Sequence, residues 1–339
     1  MSSLDFHSDL LKFPKVEFAH LPSPLEELPR LSKFLGGPKI LIKRDDCSGL
    51  AMGGNKARKL EYLIADALNK GFDTVVTGGT IQSNHCRQTA AAAVKFGLRC
   101  ILVLAPSWIE GQNGNILLDR ILGAEVVLCD HGQPWEEKYT EIETEIINQG
   151  HSPYVIPTGG SNALGSLGYI AMINELLNQS EICGHHVNYV VSATGSGGTQ
   201  AGMVAGTKLN KSSIGIVGIS VGRKKEESIA RVSTVIEEIG ILLNQPLPLK
   251  AGDVEVHDEY TGQGYGVPTM EGLAAIESTA RLEGVILDPV YTAKAMVGLM
   301  ELIRKGRFVD SDLVVFLHTG GTPALFSYVD HFNNDQQVV

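Results

Sequence analysis

A mostly apolar run leads straight into a glycine-rich turn over residues 187–202, which read VNYVVSATGSGGTQAG. The apolar run is typical of a strand buried in a parallel sheet, and the glycines allow a tight turn into a helix. Backbone N–H groups and hydroxyls at such a helix start bind anions, most often phosphate. The segment matches neither a Walker A loop nor the dinucleotide fingerprint, whose third glycine is replaced by Gln200. Unless it is only a packing turn, it forms a phosphate cup for a small cofactor from Thr194, Gly195, Ser196, Gly197, Gly198 and Thr199.

The chain on both sides of this turn alternates between short apolar runs and helical patterns. Strands are predicted at 74–77, 100–104 and 125–128, and helices at 84–96, 114–122 and 135–149. A second series starts near residue 187 and continues through 214–221 to the C-terminus. This β-α-β-α order is typical of doubly wound sheets, and 339 residues are enough for two of them. We therefore predict an α/β fold with two open, mostly parallel sheets flanked by helices.

Composition narrows the possible function classes. A net charge of −10 argues against binding to nucleic acid or to an anionic membrane surface, both of which require a basic face. Five cysteines without a CxxC pair indicate a reducing compartment, and no His or Cys spacing suits a metal ion. The N-terminus has no apolar segment of a signal peptide, and glycines interrupt the longest uncharged stretch, at 187–207. We expect a cytoplasmic protein without a metal.

A candidate nucleophile lies in the segment 52–60, which reads MGGNKARKL. Two glycines form a turn, and a helix begins near Lys56. The positive end of the helix dipole disfavours a cation there, which lowers the pKa and favours the nucleophilic free amine. The alternative is an ordinary exposed lysine, like Lys59 and Lys70 nearby.

Polar side chains follow the strand predicted at 74–77, in the segment 78–88 that reads GGTIQSNHCRQ. Gln82, Ser83 and Asn84 either cap the next helix or face a ligand crevice at the carboxyl end of the strand. His85 and Cys86 are adjacent on this helix and point apart, which disfavours a Cys–His nucleophilic pair. Their roles are left open.

Three later segments carry further polar groups. Tyr265 lies in GQGYGVPT at 262–269, where it either closes a pocket, acts as an acid or base, or is an exposed loop aromatic. Tyr291 and Thr292 end DPVYT, and Thr319 begins the turn after the last strand. Either segment is compatible with simple helix capping. A basic run at 223–225 is interpreted as a solvated helix start.

Taken in order, these motifs resemble the pyridoxal 5′-phosphate (PLP) dependent family of D-cysteine desulfhydrase and 1-aminocyclopropane-1-carboxylate (ACC) deaminase. PLP needs a reactive lysine, a phosphate cup and polar groups around its ring. The resemblance implies the tryptophan synthase β-like fold (fold type II), with PLP in the cleft between two α/β domains. Residues 1–58 with 167–339 would form the larger domain, and residues 59–166 the smaller one. It also implies a homodimer and a small amino-acid substrate.

The resemblance implies the following site roles. Lys56 forms the internal aldimine and moves the α-proton, Asn84 bonds the ring hydroxyl, and the cup holds the phosphate. The catalytic set is Lys56, Ser83, Tyr265 and Tyr291. The cofactor-binding set is Lys56, Asn84, Thr319 and the six cup residues. The substrate-binding set is Gln82, Ser83, Asn84, Tyr265 and Thr292.

Two positions favour one branch of this family. ACC deaminases resemble one another in having glutamate at the position of Thr292 and leucine at the position of Thr319. A hydroxyl beside the pyridine nitrogen makes a weaker electron sink, which suffices to expel thiolate. The pattern therefore resembles D-cysteine desulfhydrase, which converts D-cysteine and water to pyruvate, hydrogen sulfide and ammonia. L-cysteate sulfo-lyase, ACC deaminase and a non-catalytic PLP-binding protein are the alternatives, since the motifs fix neither the handedness of the substrate nor its leaving group.

Overall fold

The structure, a computed structural model, describes residues 10–106, 112–129 and 135–332, without the side chains of Trp135 and Glu136. The N-terminal residues relevant to a signal peptide therefore lie partly outside the described residues. The strands are β1 (Leu25–Glu27), β2 (Lys39–Lys43), β3 (Thr74–Thr80), β4 (Arg99–Ala105), β5 (Glu125–Leu128), β6 (Pro153–Val155), β7 (Tyr189–Thr194), β8 (Gly215–Ser220), β9 (Glu255–His257) and β10 (Leu313–Leu317). The helices are α1 (Pro29–Leu35), α2 (Lys56–Asn69), α3 (Asn84–Lys95), α4 (Asn115–Ile121), α5 (Trp135–Asn148), α6 (Ala163–Ile182), α7 (Gly198–Leu209), α8 (Lys225–Leu242), α9 (Met270–Glu283), α10 (Thr292–Arg304) and α11 (Thr322–Leu325).

The strands form two sheets. The larger sheet has the order β1-β2-β10-β7-β8-β9, with β1 antiparallel to β2 and the other pairs parallel. The smaller sheet has the order β5-β4-β3-β6 and is parallel throughout. The predicted α/β class with two mostly parallel sheets is therefore confirmed. The predicted domain boundaries remain a prediction, although the strands of the smaller sheet all lie within residues 74–155.

The larger sheet is buried on both faces, which explains the continuous apolar runs in its central strands. Val190 and Val315 pack against a cluster that includes residues of α6, α7 and α8. Val191 and Val314 pack against a second cluster, which includes residues of α1, α9 and α10. Because successive side chains point to opposite faces, both the odd and the even positions of these strands are mostly apolar.

Helix α6 supports the glycine-rich turn from behind. It packs so closely on α7 that a Cβ atom at Gly202 would lie 2.4 Å from the backbone oxygen of Ser166. Its own start is capped by Asn162, whose side chain accepts a hydrogen bond of 2.9 Å from the N–H of Gly165. The close contact at Gly202 fixes where α7 begins relative to the carboxyl ends of the strands.

Within the described residues, no helix combines the length and the apolar character needed to cross a membrane.

Candidate active site

The two sheets direct the carboxyl ends of their strands toward one cavity of about 400 Å³. In parallel α/β sheets this edge is where ligands bind. Residues that follow β3, β7, β8 and β10 contribute to its wall, together with the start of α2. The predicted site residues that line it are Lys56, Ser83, Asn84, Thr194, Gly195, Ser196, Gly197, Thr199, Tyr265, Tyr291 and Thr319. The fold thus brings together predicted site residues from six segments that are far apart in sequence.

Lys56 is the first residue of α2 and is half-buried in the cavity wall. Among the described residues, no carboxylate or other group pairs with its amino group. Burial lowers its pKa to about 8, the direction predicted from its place at a helix start. The preceding turn needs glycine, because a Cβ atom at Gly53, where φ is +66°, would lie 1.9 Å from the oxygen of Asp46. Near neutral pH a larger fraction of this lysine is therefore unprotonated than of an ordinary lysine.

The glycine-rich turn forms the opposite wall, at the start of α7. Gly195, Ser196 and Gly197 line the cavity, and Gly197 adopts a φ of +90°. The Ser196 hydroxyl lies 2.7 Å from that of Ser161. A Cβ atom at Gly159 would lie 2.2 Å from Ser196 Oγ, so this wall accepts no larger residue there. Gly198 begins the helix but is not among the lining residues.

Lys59 lies behind this wall, which corrects its interpretation as an ordinary exposed lysine. It is only 1% exposed. Its Nζ donates hydrogen bonds to Gly159 O at 3.1 Å and to Ser161 Oγ at 3.2 Å. Burial, with a smaller contribution from the charge of Lys56, lowers its pKa well below the ordinary value. Its place one turn after Lys56 on the same helix face was the available signal.

Ser83 and Asn84 line the cavity at the start of α3. Ser83 also caps this helix, since its Oγ accepts a hydrogen bond of 3.2 Å from Cys86 N, so capping and a place in the crevice are both present. Gln82 is turned into a buried network, where Oε1 accepts from Asn115 N and Nε2 donates to Asn113 O, each at 2.9 Å. Gln82 is not among the lining residues, and its predicted substrate contact remains a prediction.

His85 lines the cavity, whereas Cys86 is packed inside the apolar cluster that includes residues of β3 and β4. The Thr77 hydroxyl donates to Ile156 O at 2.7 Å, so it accepts from His85 Nε2–H at 2.8 Å. This assigns the proton of the neutral ring to Nε2 and leaves Nδ1 as a buried acceptor without a partner among the described residues. Burial lowers the pKa of His85 well below its ordinary value, so the ring is neutral.

Tyr265 and Tyr291 meet across the cavity from different loops. Their hydroxyl oxygens are 2.5 Å apart, and their rings cross at 72°. Burial raises the pKa of both hydroxyls, most strongly that of Tyr291. Both groups therefore remain protonated near neutral pH and can donate a proton.

The two threonines that favour one branch of the family lie in different surroundings. Thr319 lines the cavity, and its backbone oxygen accepts a hydrogen bond of 3.0 Å from Asn55 N in the turn before Lys56. Thr292 is buried at the start of α10, where its hydroxyl lies 2.7 Å from Asp288 Oδ1. Thr292 is not among the lining residues, and its predicted contact with substrate remains a prediction.

The basic run at 223–225 is not only a solvated start of α8, because one of its side chains lines the cavity. Arg223 reaches the cavity mouth and donates to Gly195 O at 2.8 Å. Arg231, within α8, also lines the mouth and donates to Ser196 O at 3.1 Å. Two guanidinium groups thus stand beside the turn predicted to hold a phosphate, where they add positive potential.

The donor set of this cavity fits a phosphorylated aldehyde cofactor. It offers a lysine of lowered pKa and a glycine-rich helix start flanked by two arginines. Within the described residues, no cluster of three or more metal-ligating side chains occurs. Residues 16–320 match the model of the family described as pyridoxal-phosphate dependent enzymes. The chain belongs to this family.

Two relatives of known description extend the comparison. The chain is 46% identical over 328 residues to a D-cysteine desulfhydrase of Klebsiella pneumoniae (strain 342), covering 95% of this chain and 98% of that protein. A solved structure described as an ACC deaminase homologue is 41% identical, covers 98% of both chains and superposes with a TM-score of 0.89. The fold is therefore the tryptophan synthase β-like fold, fold type II, and the cofactor of this enzyme family is PLP.

Proposed function

We propose that the protein eliminates sulfide from D-cysteine, forming pyruvate, hydrogen sulfide and ammonia with the uptake of one water. The observation that carries this proposal is the 46% identity over nearly the full length to a D-cysteine desulfhydrase. A cavity in which a lysine amine, a phosphate cup and two protonated tyrosines converge supports it. In this proposal Lys56 holds the cofactor, and the cup residues Thr194, Gly195, Ser196, Gly197, Gly198 and Thr199 hold its phosphate.

The cofactor, when bound, withdraws electrons from the α-carbon of the amino acid. Lys56 takes the α-proton, for which its lowered pKa suits it near neutral pH. The Tyr265–Tyr291 pair faces the substrate side and protonates the departing sulfur, since both hydroxyls keep their protons at this pH. Ser83 and Asn84 bind the substrate and the ring hydroxyl at the start of α3.

Replacement of Tyr265 by phenylalanine is expected to lower kcat about 100-fold, because a positioned proton donor contributes a factor of this order. Cofactor binding, followed by visible absorption, should remain unchanged because the phosphate cup and Lys56 are untouched. Tyr260→Phe is the matched control, since Tyr260 is another loop tyrosine outside the cavity lining. Equal losses of kcat in the two variants would contradict the assigned role.

A panel of substrates separates the proposal from the alternatives. Purified protein supplied with PLP is given D-cysteine, L-cysteate and ACC, and sulfide, sulfite and 2-oxobutanoate are measured. Sulfide from D-cysteine, with little sulfite or 2-oxobutanoate, is expected. Thr319 supports this order, because it lines the cavity at the position where the resemblance implies leucine in ACC deaminases. Sulfite as the dominant product assigns the chain to L-cysteate elimination.

The remaining assignments are also proposals. We propose a cytoplasmic homodimer whose larger domain comprises residues 1–58 and 167–339 and whose smaller domain comprises residues 59–166. Cys47, Cys86, Cys100 and Cys183 are free thiols, which supports a reducing compartment. The four strands of the smaller sheet fall inside the inserted segment, which supports the domain boundaries. Light scattering of the purified holoenzyme tests the dimer directly.

A further inference from the structure

Arg87 is a fully buried arginine that lies behind the cavity and connects two of its walls. Its Nη1 donates to Asn84 Oδ1 at 3.1 Å and to Asn115 Oδ1 at 2.7 Å. Its Nη2 donates to Gly53 O at 2.7 Å, in the turn that precedes Lys56. One guanidinium therefore contacts both the residue predicted to bond the cofactor ring and the turn that carries the lysine.

The chemistry of arginine fixes the orientation of both amides. A guanidinium group has only donors, so the amide atom facing it must be oxygen. In Asn115 this turns Nδ2 toward Gln82 O at 2.8 Å and Asn84 Oδ1 at 3.0 Å. Asn84 Oδ1 thus accepts from two donors, and Nδ2 is the polar atom of this side chain that remains for the cavity.

The charge of Arg87 strengthens this arrangement. Burial lowers its pKa to about 10, so it is still protonated at neutral pH. Asp119 contributes the larger of two attractive charges, ahead of Asp288, but the Asp119 oxygens have no hydrogen-bond partner among the described residues. A cation bonded to the oxygen of an amide polarises it, and its N–H groups become better donors.

We propose that Arg87 is a positioning residue that, with Asn115, holds Asn84 as a hydrogen-bond donor to the ring oxygen of the cofactor. Its hydrogen bond to Gly53 O also fixes the position of Asn84 relative to Lys56. The inference rests on the proposed function, which supplies the contact between Asn84 and the ring. A donor aimed at this oxygen favours its anionic form, which absorbs at longer wavelength than the protonated form.

The test uses the absorption spectrum of the PLP-loaded protein without substrate. Arg87→Met is expected to lower the ratio of the long-wavelength to the short-wavelength band about tenfold, the loss expected for a charge-assisted hydrogen bond. Arg87→Lys keeps the charge and should restore part of the ratio. Thr89→Val is the matched control, because Thr89 is equally buried on α3 and its hydroxyl has no partner among the described residues.

If Arg87→Met does not fold, Asn115→Ala serves as the test instead, because it removes one of the two donors to Asn84 Oδ1. It should shift the ratio in the same direction, by about threefold. A wild-type spectrum in a folded Arg87→Met, or in Asn115→Ala when that variant decides, overturns the inference. Absence of sulfide from wild-type protein and D-cysteine refutes the proposed function instead, while the spectral comparison needs only bound cofactor.

Discussion

Replacement of Lys56 by alanine is expected to lower the rate of sulfide release from D-cysteine about 10⁴-fold. The variant loses both the amine that holds the cofactor and the base for the α-proton, and a positioned base alone contributes up to about this factor. Cofactor should still bind through the phosphate cup, but after borohydride reduction acid denaturation should release all of it from the variant and none from the wild type. Sulfide release and the absorption of the denatured supernatant measure the two effects.

The lowered pKa of Lys56 adds a pH dependence to this prediction. Only the neutral amine attacks an aldehyde, and its fraction rises with pH until the pKa of about 8 is passed. The rate of PLP attachment to cofactor-free protein should therefore rise with pH and level off above pH 8. Lys70→Ala is the control, because Lys70 is exposed at the far end of the same helix. Full activity in Lys56→Ala would remove the basis of the proposed mechanism.

Replacement of Asp45 by alanine is expected to destabilise the fold by about 3–5 kcal/mol, because it leaves a buried arginine with too few partners. Asp45 is fully buried and binds Arg58 through two hydrogen bonds of 2.9 Å. Its oxygens also accept from Tyr169 at 2.6 Å and Ser23 at 2.7 Å. Urea unfolding of the two proteins measures the difference. Glu125→Ala breaks an exposed ion pair and should cost no more than about 1 kcal/mol.

The effect of Asp45 should also depend on pH with a definite sign. Although burial opposes ionisation, Arg58 holds the pKa of Asp45 below its ordinary value of 3.8. A carboxyl group with a depressed pKa stabilises the fold above that ordinary value, and the contribution is lost as the pH falls through the folded value. The difference in unfolding free energy between wild type and Asp45→Ala should be constant near neutrality and narrow below pH 3.8. A difference that narrows already between pH 8 and 6 would contradict this account.

The predicted parts of the fold are those set by local patterns. Strands such as β4 and β5 and helices such as α3 were predicted within one or two residues, because apolar runs and capping residues mark them in the sequence. Helix α6 begins with the capping residue Asn162, but it has no amphipathic pattern, since it is apolar on most sides and packs between other helices. Short elements near the N-terminus, such as β1, exist only through pairing with β2.

The residues of the candidate site also divide into those that local sequence patterns mark and those that contacts between distant segments place. Lys56 and Asn84 lie at helix starts after glycine turns or strands, a local signal that the sequence displays directly. Lys59, Arg87 and Arg223 were not singled out, because their partners come from distant segments that only the folded chain brings together. The orientation of a side chain such as Gln82 likewise depends on a partner helix, α4, that sequence spacing does not specify.

The most direct test of the central claim is the release of sulfide and pyruvate by PLP-loaded wild-type protein given D-cysteine, with L-cysteine in parallel. Equal amounts of sulfide and pyruvate are expected from D-cysteine, at a rate well above that from L-cysteine. Absence of both products from D-cysteine, in protein whose cofactor is bound to Lys56, would contradict the central claim.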